Sequence, residues 1–441
     1  MSDVQKKEWS FIRDNINQYP DNHSRHIGGY AIFEGIVDFY IFQEAINIFV
    51  KRNDGIRLRY KEIDGEVYQY VSEYKKIFVD FFDFSNYDNP KIEFDKWLEK
   101  DFSKSFSGFD NDLFYFALLQ VNKKQSVFYG KIHHLNYDGW SFGIMVNQIF
   151  DSYIKIKYGE ESDAKDEISY LQHLTDEKTY LLSERLLRDK CFWNTYLKGY
   201  PELFCQPIPM AIKVVNRMYC LNKKLTARIK KFCSKRLSLS SFFISVLSIY
   251  LYIVLQRDDI LIGSYMSNRG SAKEKKIIGC FAGDMPLRIK IDENQTFYTF
   301  ADKVCRNIKR CLFYSKYPKY LLAKDLKIYE KGYSNLYQIS VNYNVLRPQE
   351  SLDGIKFSIK ELYTSTYTTT NMQIEIIDWL EHEDKLLLNF IFMQNVFSEG
   401  QIESIYNDVC KLIDVLLENS HVEICDIKLG KWEISRNYLI P

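Results

Sequence analysis

The sequence predicts an α+β fold built from two halves, and three observations lead there. Helical and strand-like hydrophobic patterns interleave along all 441 residues. The strand-like segments come mainly as hairpins, which favours mixed or antiparallel sheets over a doubly wound parallel one. A charged, amphipathic stretch from Tyr170 to Leu197 separates two regions of similar alternation and is the expected join, with the halves spanning residues 1–175 and 176–441.

In the first half, Gln43–Arg52 has helical spacing, while Ile56–Tyr60 and Val67–Val71 alternate like strands about the Asp64-Gly65 turn. Leu113–Val121 and Ser126–Ile132 predict a second hairpin, turning at Asn122–Gln125, and Trp140–Tyr158 returns to helical periodicity. The join carries Leu181, Leu182, Leu186, Leu187 and Phe192 near i, i+4 spacing. In the second half, helices are expected at Ala227–Lys235, Ser241–Gln256, Thr296–Tyr314 and Glu399–Leu417. Strands are expected at Ile260–Tyr265, Tyr337–Asn342, Gln373–Trp379 and Leu386–Phe392. The most apolar segment, Phe242–Leu255, is too short to span a bilayer and reads as a buried helix.

Composition narrows the function. With 59 Lys+Arg against 58 Asp+Glu, no concentrated basic charge recommends nucleic acid or an anionic membrane as a partner. At 46% hydrophobic and 16% aromatic, the chain buries a large core. Nine widely spaced cysteines without a C-x-x-C pair speak against a zinc ribbon or disulfide framework and for a reducing compartment. The opening MSDVQKKEWS lacks the apolar run of a signal peptide, so a cytoplasmic, monomeric protein is expected.

One segment stands apart: Lys131-Ile-His133-His134-Leu-Asn-Tyr-Asp138-Gly139-Trp140-Ser141, where a strand gives way to a helix. An imidazole at a strand end titrates near neutrality and accepts a proton from an attacking amine or hydroxyl. Strand side chains alternate, so His133 and His134 cannot share one cavity. His134 is the expected catalytic residue, with His133 orienting the turn, and the two are grouped with Gly139 as the catalytic set. Asp138 is placed to brace the loop through an arginine. Gly139 allows close backbone approach, and the helix N-terminus behind it offers N–H groups to a developing oxyanion.

At this point the sequence resembles the condensation domains of nonribosomal peptide synthetases, whose signature is H-H-x-x-x-D-G. Ser2-Asp-Val4-Gln5-Lys-Lys7-Glu-Trp9 is similar to the family's opening S-x-A-Q-x-R-x-W, and Phe192-Trp193-x-x-Tyr196-Leu197 to its YW-x-x-x-L. Arg52-Asn-Asp-Gly-Ile-Arg57 resembles R-H-E-x-L-R but replaces the central His-Glu by Asn53-Asp54. Ile278-Gly279-Cys280-Phe281-Ala-Gly283-Asp284-Met-Pro-Leu-Arg288 resembles I-G-x-F-V-N-T-x-x-x-R, with Gly283 and Asp284 for the Asn and Thr. Tyr317-Pro318 and Asn335-Leu336-Tyr337-Gln338 resemble two later motifs. The likeness runs from Ser2 to about Leu429.

The resemblance implies a pseudodimer of two chloramphenicol-acetyltransferase-like subdomains arranged in a V, with the His motif at the crevice. It implies acyl or peptidyl carrier proteins as partners, each delivering a 4'-phosphopantetheine arm, and no intrinsically bound cofactor. It pairs Asp138 with Arg269 as a structural salt bridge across the halves, and makes Trp140, Ser141 and Asn342 candidates to line the substrate crevice.

What the sequence lacks shapes the chemistry. It shows no phosphate-binding loop, adenylate-forming signature or metal-ligand spacing, so the acyl donor must arrive activated, as a thioester does. Amide formation by an amine acceptor is the expected reaction. Acyl transfer to a soluble amine or alcohol, and a non-catalytic docking module supported by Asn53, Asp54, Gly283 and Asp284, are the alternatives. An epimerising relative is disfavoured because E-G-H-G-R-E is missing. His23, His26, His173, His382 and His421 read as surface or capping residues. Lys273–Lys276 reads as a solvated run, and Thr364–Thr370 as a strand or bridge over the crevice.

Overall fold

The computed structural model describes residues 1–16, 25–106, 108–160, 169–203, 214–234, 237–333, 335–347, 351–362, 368, 370–379 and 385–427. His23, His382 and most of the Thr364–Thr370 stretch lie outside them. In chain order the first elements are α1 (Asp3–Ile16), β1 (His26–Phe33), α2 (Phe39–Arg52), β2 (Leu58–Ile63), β3 (Glu66–Val71), β4 (Asp80–Asp83), α3 (Pro90–Phe102), β5 (Phe114–Asn122), β6 (Gln125–His133), α4 (Gly139–Lys157) and α5 (Tyr170–Leu181). They are followed by α6 (Glu184–Tyr196), β7 (Val214–Cys220), α7 (Lys223–Cys233), α8 (Leu239–Leu255), β8 (Asp259–Met266), β9 (Gly283–Lys290), α9 (Phe297–Phe313) and α10 (Lys319–Asp325). The last are β10 (Ile339–Leu346), β11 (Ser351–Leu352), β12 (Ile355–Leu362), β13 (Met372–Trp379), β14 (Leu387–Met393) and α11 (Glu399–Glu418).

These elements form two compact α+β units, each with a six-stranded sheet. The first sheet runs β11-β12-β1-β6-β5-β4 and the second β7-β14-β13-β10-β8-β9. Both are mixed, since β4 pairs parallel with β5 and β10 parallel with β8, beside antiparallel pairs such as β1 with β6 and β13 with β14. The units do not follow a single cut between residues 175 and 176. Unit 1 holds Met1–Leu182, Ser267–Ala282 and Leu346–Thr364, and unit 2 the remainder. The cause is non-local pairing: β12, late in the chain, pairs antiparallel with β1 from Gly28↔Leu362 to Phe33↔Phe357.

The join is two helices rather than one. The backbone of α5 ends at Leu182, whose side chain is 90% exposed, and α6 begins after Ser183. Leucines at helical spacing on both sides of that break imitate one continuous stripe. Local chemistry sets the other helices more plainly. Ser238 caps α8 through Ser241 N, Gln256 ends it in the left-handed region at φ 54°, and most of the helix is buried in the unit 2 core. In unit 1, Ile12, Leu58, Tyr60, Leu113, Leu135, Tyr170, Ile277 and Phe281 pack as one apolar cluster directly under the His motif. None of the helices among the described residues is long and apolar enough to cross a membrane.

Candidate active site

Strand β6 ends at His133, not at His134, and a 3-10 turn over His134–Asn136 follows before α4 begins at Gly139. The two histidines therefore differ because one closes a strand and the next opens a turn. His133 is 2% exposed, and its Nδ1 accepts from Leu135 N at 3.1 Å. Its ring makes a T-shaped contact with Phe109, and Nε2 is buried without a hydrogen-bond partner among the described residues. Burial, the neighbouring His134 and Arg25 hold it down to about 3, so it stays neutral. His133, grouped with the catalytic residues in the sequence reading, is thus part of the turn's interior. His134 is half-buried, its backbone N–H is given to Arg25 O at 2.7 Å, and its Nδ1 lies 3.7 Å from Cys280 Sγ.

Asp138 is the N-cap of α4, and its carboxylate accepts from Ser141 N at 2.9 Å and Ser141 Oγ at 2.8 Å. Its other donors come from a distant loop: Phe281 N at 2.9 Å, Ala282 N at 3.0 Å, and both Nη atoms of Arg269 at 2.6 and 3.0 Å. Both side chains of this bidentate pair are wholly buried. Burial opposes ionisation of Asp138, but the Arg269 guanidinium and the N–H donors outweigh it and hold the carboxyl below its usual range. Arg269 also reaches Ser141 Oγ, Ile277 O and Gly279 O, and its guanidinium lies 4.1 Å above the Phe281 ring. Because residues 267–282 belong to unit 1, the pair lies within one compact unit rather than across the halves.

Ser141 is a member of this network. It is 0% exposed, and its hydroxyl, whose single proton lies between Asp138 Oδ1 and Gly279 O, accepts from Gly279 N. It braces the loop and does not line a crevice. Trp140 is 41% exposed, and its indole N–H donates to Lys275 O at 3.1 Å, so it ties α4 to the Lys273–Lys276 run. Gly139 is exposed, and a Cβ placed on it would meet nothing within 4 Å. Asn342 lies on β10 in unit 2, where it donates to Glu375 Oε1 at 3.0 Å.

The opening motif explains itself through this turn. Ser2 and Gln5 bond each other at the start of α1, and Gln5 Nε2 donates to Leu135 O and Tyr60 OH, both at 2.8 Å. Tyr60 OH in turn donates to Asn136 Oδ1, and Asn136 Nδ2 to Leu58 O. The I-G-x-F loop is held as closely: a Cβ on Gly279 would stand 2.2 Å from the Tyr170 ring, whose hydroxyl donates to Cys280 O at 2.9 Å. Glycine is required there because two elements meet without room for a side chain.

Sequence reasoning missed Glu8, Arg25 and Cys280. Glu8 and Arg25 form a largely buried ion pair. Burial disfavours the Glu8 charge, but Arg25 and then His134 outweigh it and hold the carboxyl at about 2. Glu8 lies within the opening motif at a position the motif leaves open, and Cys280 occupies the x of I-G-x-F, so neither carried a signal. His26, expected at the surface or in a cap, is instead buried, with Nε2 against Phe102 O at 2.7 Å. Three of the departures from family pattern, at Asn53, Asp54 and Asp284, have structural accounts. Asn53 Nδ2 donates to Gln148 Oε1, Asp54 caps α5 through Tyr170 N, and Asp284 pairs with Lys319, which also donates to Tyr337 OH. They give no support to a docking module without catalysis.

A mixed-sheet fold with a turn-borne histidine before an aspartate-capped helix is the arrangement that the resemblance to condensation domains implies. The condensation-domain family model matches residues 2–433, and the chain belongs to that family, the amide-forming acyltransferases of nonribosomal peptide synthesis. It is 29% identical to a surfactin synthase and 27% identical to a plipastatin synthase, both of Bacillus subtilis (strain 168). Those matches take in 95% and 93% of this chain but only 12% and 16% of the relatives. Among solved structures, the starter condensation domain of rhizomide synthetase RzmA superposes with a TM-score of 0.82 at 18% identity, covering 97% of this chain and 96% of that one. The first condensation domain of the calcium-dependent antibiotic synthetase gives 0.79 at 15% identity, covering 94% and 96%.

Proposed function

We propose that this chain condenses an amine with an acyl or peptidyl thioester carried on a 4'-phosphopantetheine arm, and that His134 is the side chain that meets the reactants. The observation that carries the reading is the placement of His134. It is the one accessible imidazole of the motif, on a turn fixed from below by Gln5, Asn136 and Tyr60 and followed by a helix anchored through the buried Asp138–Arg269 pair. In the reaction the amine nitrogen bonds to the thioester carbonyl carbon, the C–S bond breaks, and the amine proton leaves with the departing thiolate. His134 serves by taking that proton in passage or by holding the amine in line. The exposed Gly139 and the first turn of α4 offer N–H groups to the tetrahedral oxyanion, and Trp140 stands at the rim of that approach.

Carrier proteins are the proposed partners, and the arm is substrate rather than resident cofactor. The RzmA domain was solved with C8-CoA and Leu-SNAC, which supports small thioesters as test substrates for this chain. The eight described cysteines are free thiols, which supports work in the reducing cytoplasm, and we place the unit there as a monomer. Incubating the protein with an octanoyl-loaded carrier, and separately with C8-CoA, in the presence of Leu-SNAC or an aminoacyl carrier separates the readings by mass spectrometry. New amide on the acceptor thioester supports condensation. Acyl transfer only to free amines or alcohols would replace it with the soluble-acceptor reading, and no His134-dependent product would remove both.

A further inference from the structure

The nitrogen of His134 facing the protein is engaged by one side chain, the Cys280 sulfur at 3.7 Å from Nδ1. Cys280 is a free, fully buried thiol at the centre of the I-G-C-F loop. Its main chain is fixed on both sides: Tyr170 OH donates to Cys280 O, and the next two amides, Phe281 N and Ala282 N, donate to Asp138. The sulfur therefore stands on a rigid support, and what it does to the ring is set by geometry.

We propose that Cys280 is a positioning residue for His134: its sulfur accepts the Nδ1 proton, fixes the ring, and leaves the Nε2 lone pair as the acceptor turned to the amine. The inference rests on the function proposed above and deepens it, because a ring that accepts or aligns an amine proton must keep Nε2 bare. One feature favours this sense of the contact over S–H donation to Nδ1. An imidazole N–H is a stronger donor than a thiol S–H. Burial pushes the Cys280 thiol well above its ordinary value, and Glu8 and Asp138 push it further, so the sulfur stays a neutral thiol.

The test is a 15N spectrum of histidine-labelled protein, with His134 assigned by its loss in His134→Gln, read beside steady-state kinetics. The wild-type ring is expected to show protonated Nδ1 and unprotonated Nε2. Cys280→Ala should mix the tautomers and lower kcat roughly 10- to 100-fold, with KM for the acyl donor unchanged. Cys280→Ser, whose hydroxyl also accepts, should restore most of both. A wild-type ring with bare Nδ1 overturns the proposal, as does a Cys280→Ala protein with unaltered tautomer and kcat. Should the alanine variant fold poorly, the wild-type spectrum alone decides. Absence of amide product in the wild type would count against the proposed function, whereas the tautomer is read without turnover.

Discussion

Replacing Asp138 by alanine tests what the motif carboxylate is for. The change removes both oxygens that Arg269 grips and leaves the N–H groups of Ser141, Phe281 and Ala282 without their acceptor. Because both partners of the ion pair are wholly buried, the cost is that of stranding a guanidinium in the interior, roughly 3–5 kcal/mol. For a unit of roughly 200 residues, each kcal/mol moves Tm by about 2–4 °C, so a fall on the order of 10 °C is expected. Thermal unfolding followed by circular dichroism, with amide formation assayed well below the transition, is the measurement. A second replacement, Arg269→Leu, should return part of the lost stability, because the stranded charge goes with it. A variant that melts with the wild type and yet loses turnover would refute the bracing role and put Asp138 in the chemistry.

Other predictions follow from the same geometry. Gly279→Ala forces a Cβ into the Tyr170 ring and should cost about 1–3 kcal/mol in chemical denaturation, with Tyr170→Ala in the same chain relieving part of it. Gly139→Ala meets no protein atom, so the fold should keep its Tm, while kcat/KM falls if reactants approach over that backbone; unchanged kinetics would remove Gly139 from the site. Acidification should destabilise the fold in two windows. Burial is the main cause holding His26 at about 4 and His133 at about 3, against 6.5 in the unfolded chain. Unfolding therefore takes up protons below about pH 6.5, and stability falls by roughly 1.4 kcal/mol per pH unit for each histidine until the folded values are reached. Glu8, held at about 2 against 4.5, adds a loss only as the pH falls below about 4.5. Urea titrations at pH 7.5, 6 and 5 should show the first decline, and a flat profile over that range would contradict the buried neutral histidines.

The parts of the fold legible in the sequence are those set by local rules. Helix α8 is marked by its unbroken apolar run, and the β5–β6 hairpin by two apolar runs on either side of the turn at Asn122–Gln125. Strand β1 was silent because it is buried on both faces and shows no alternation, and its partner β12 lies more than 300 residues away. That distant pairing, together with the 267–282 loop, is why a single cut could not describe the units. At the proposed site, the Asp138–Arg269 ion pair was legible through the family resemblance. Ser141 was misplaced because burial is a tertiary property: it sits in a motif read as facing substrate and is consumed by internal hydrogen bonds. Cys280 was hidden because a thiol in a loop has no pattern until His134 Nδ1 is seen beside it.

The most direct test is a single-turnover experiment with an acyl-loaded carrier and an aminoacyl thioester, comparing wild-type protein with His134→Ala at matched folded fraction. Loss of one side chain that aligns or relays the amine proton should slow amide formation by roughly 10²- to 10⁴-fold while carrier binding persists. Amide appearing at the wild-type rate would contradict the role given to His134.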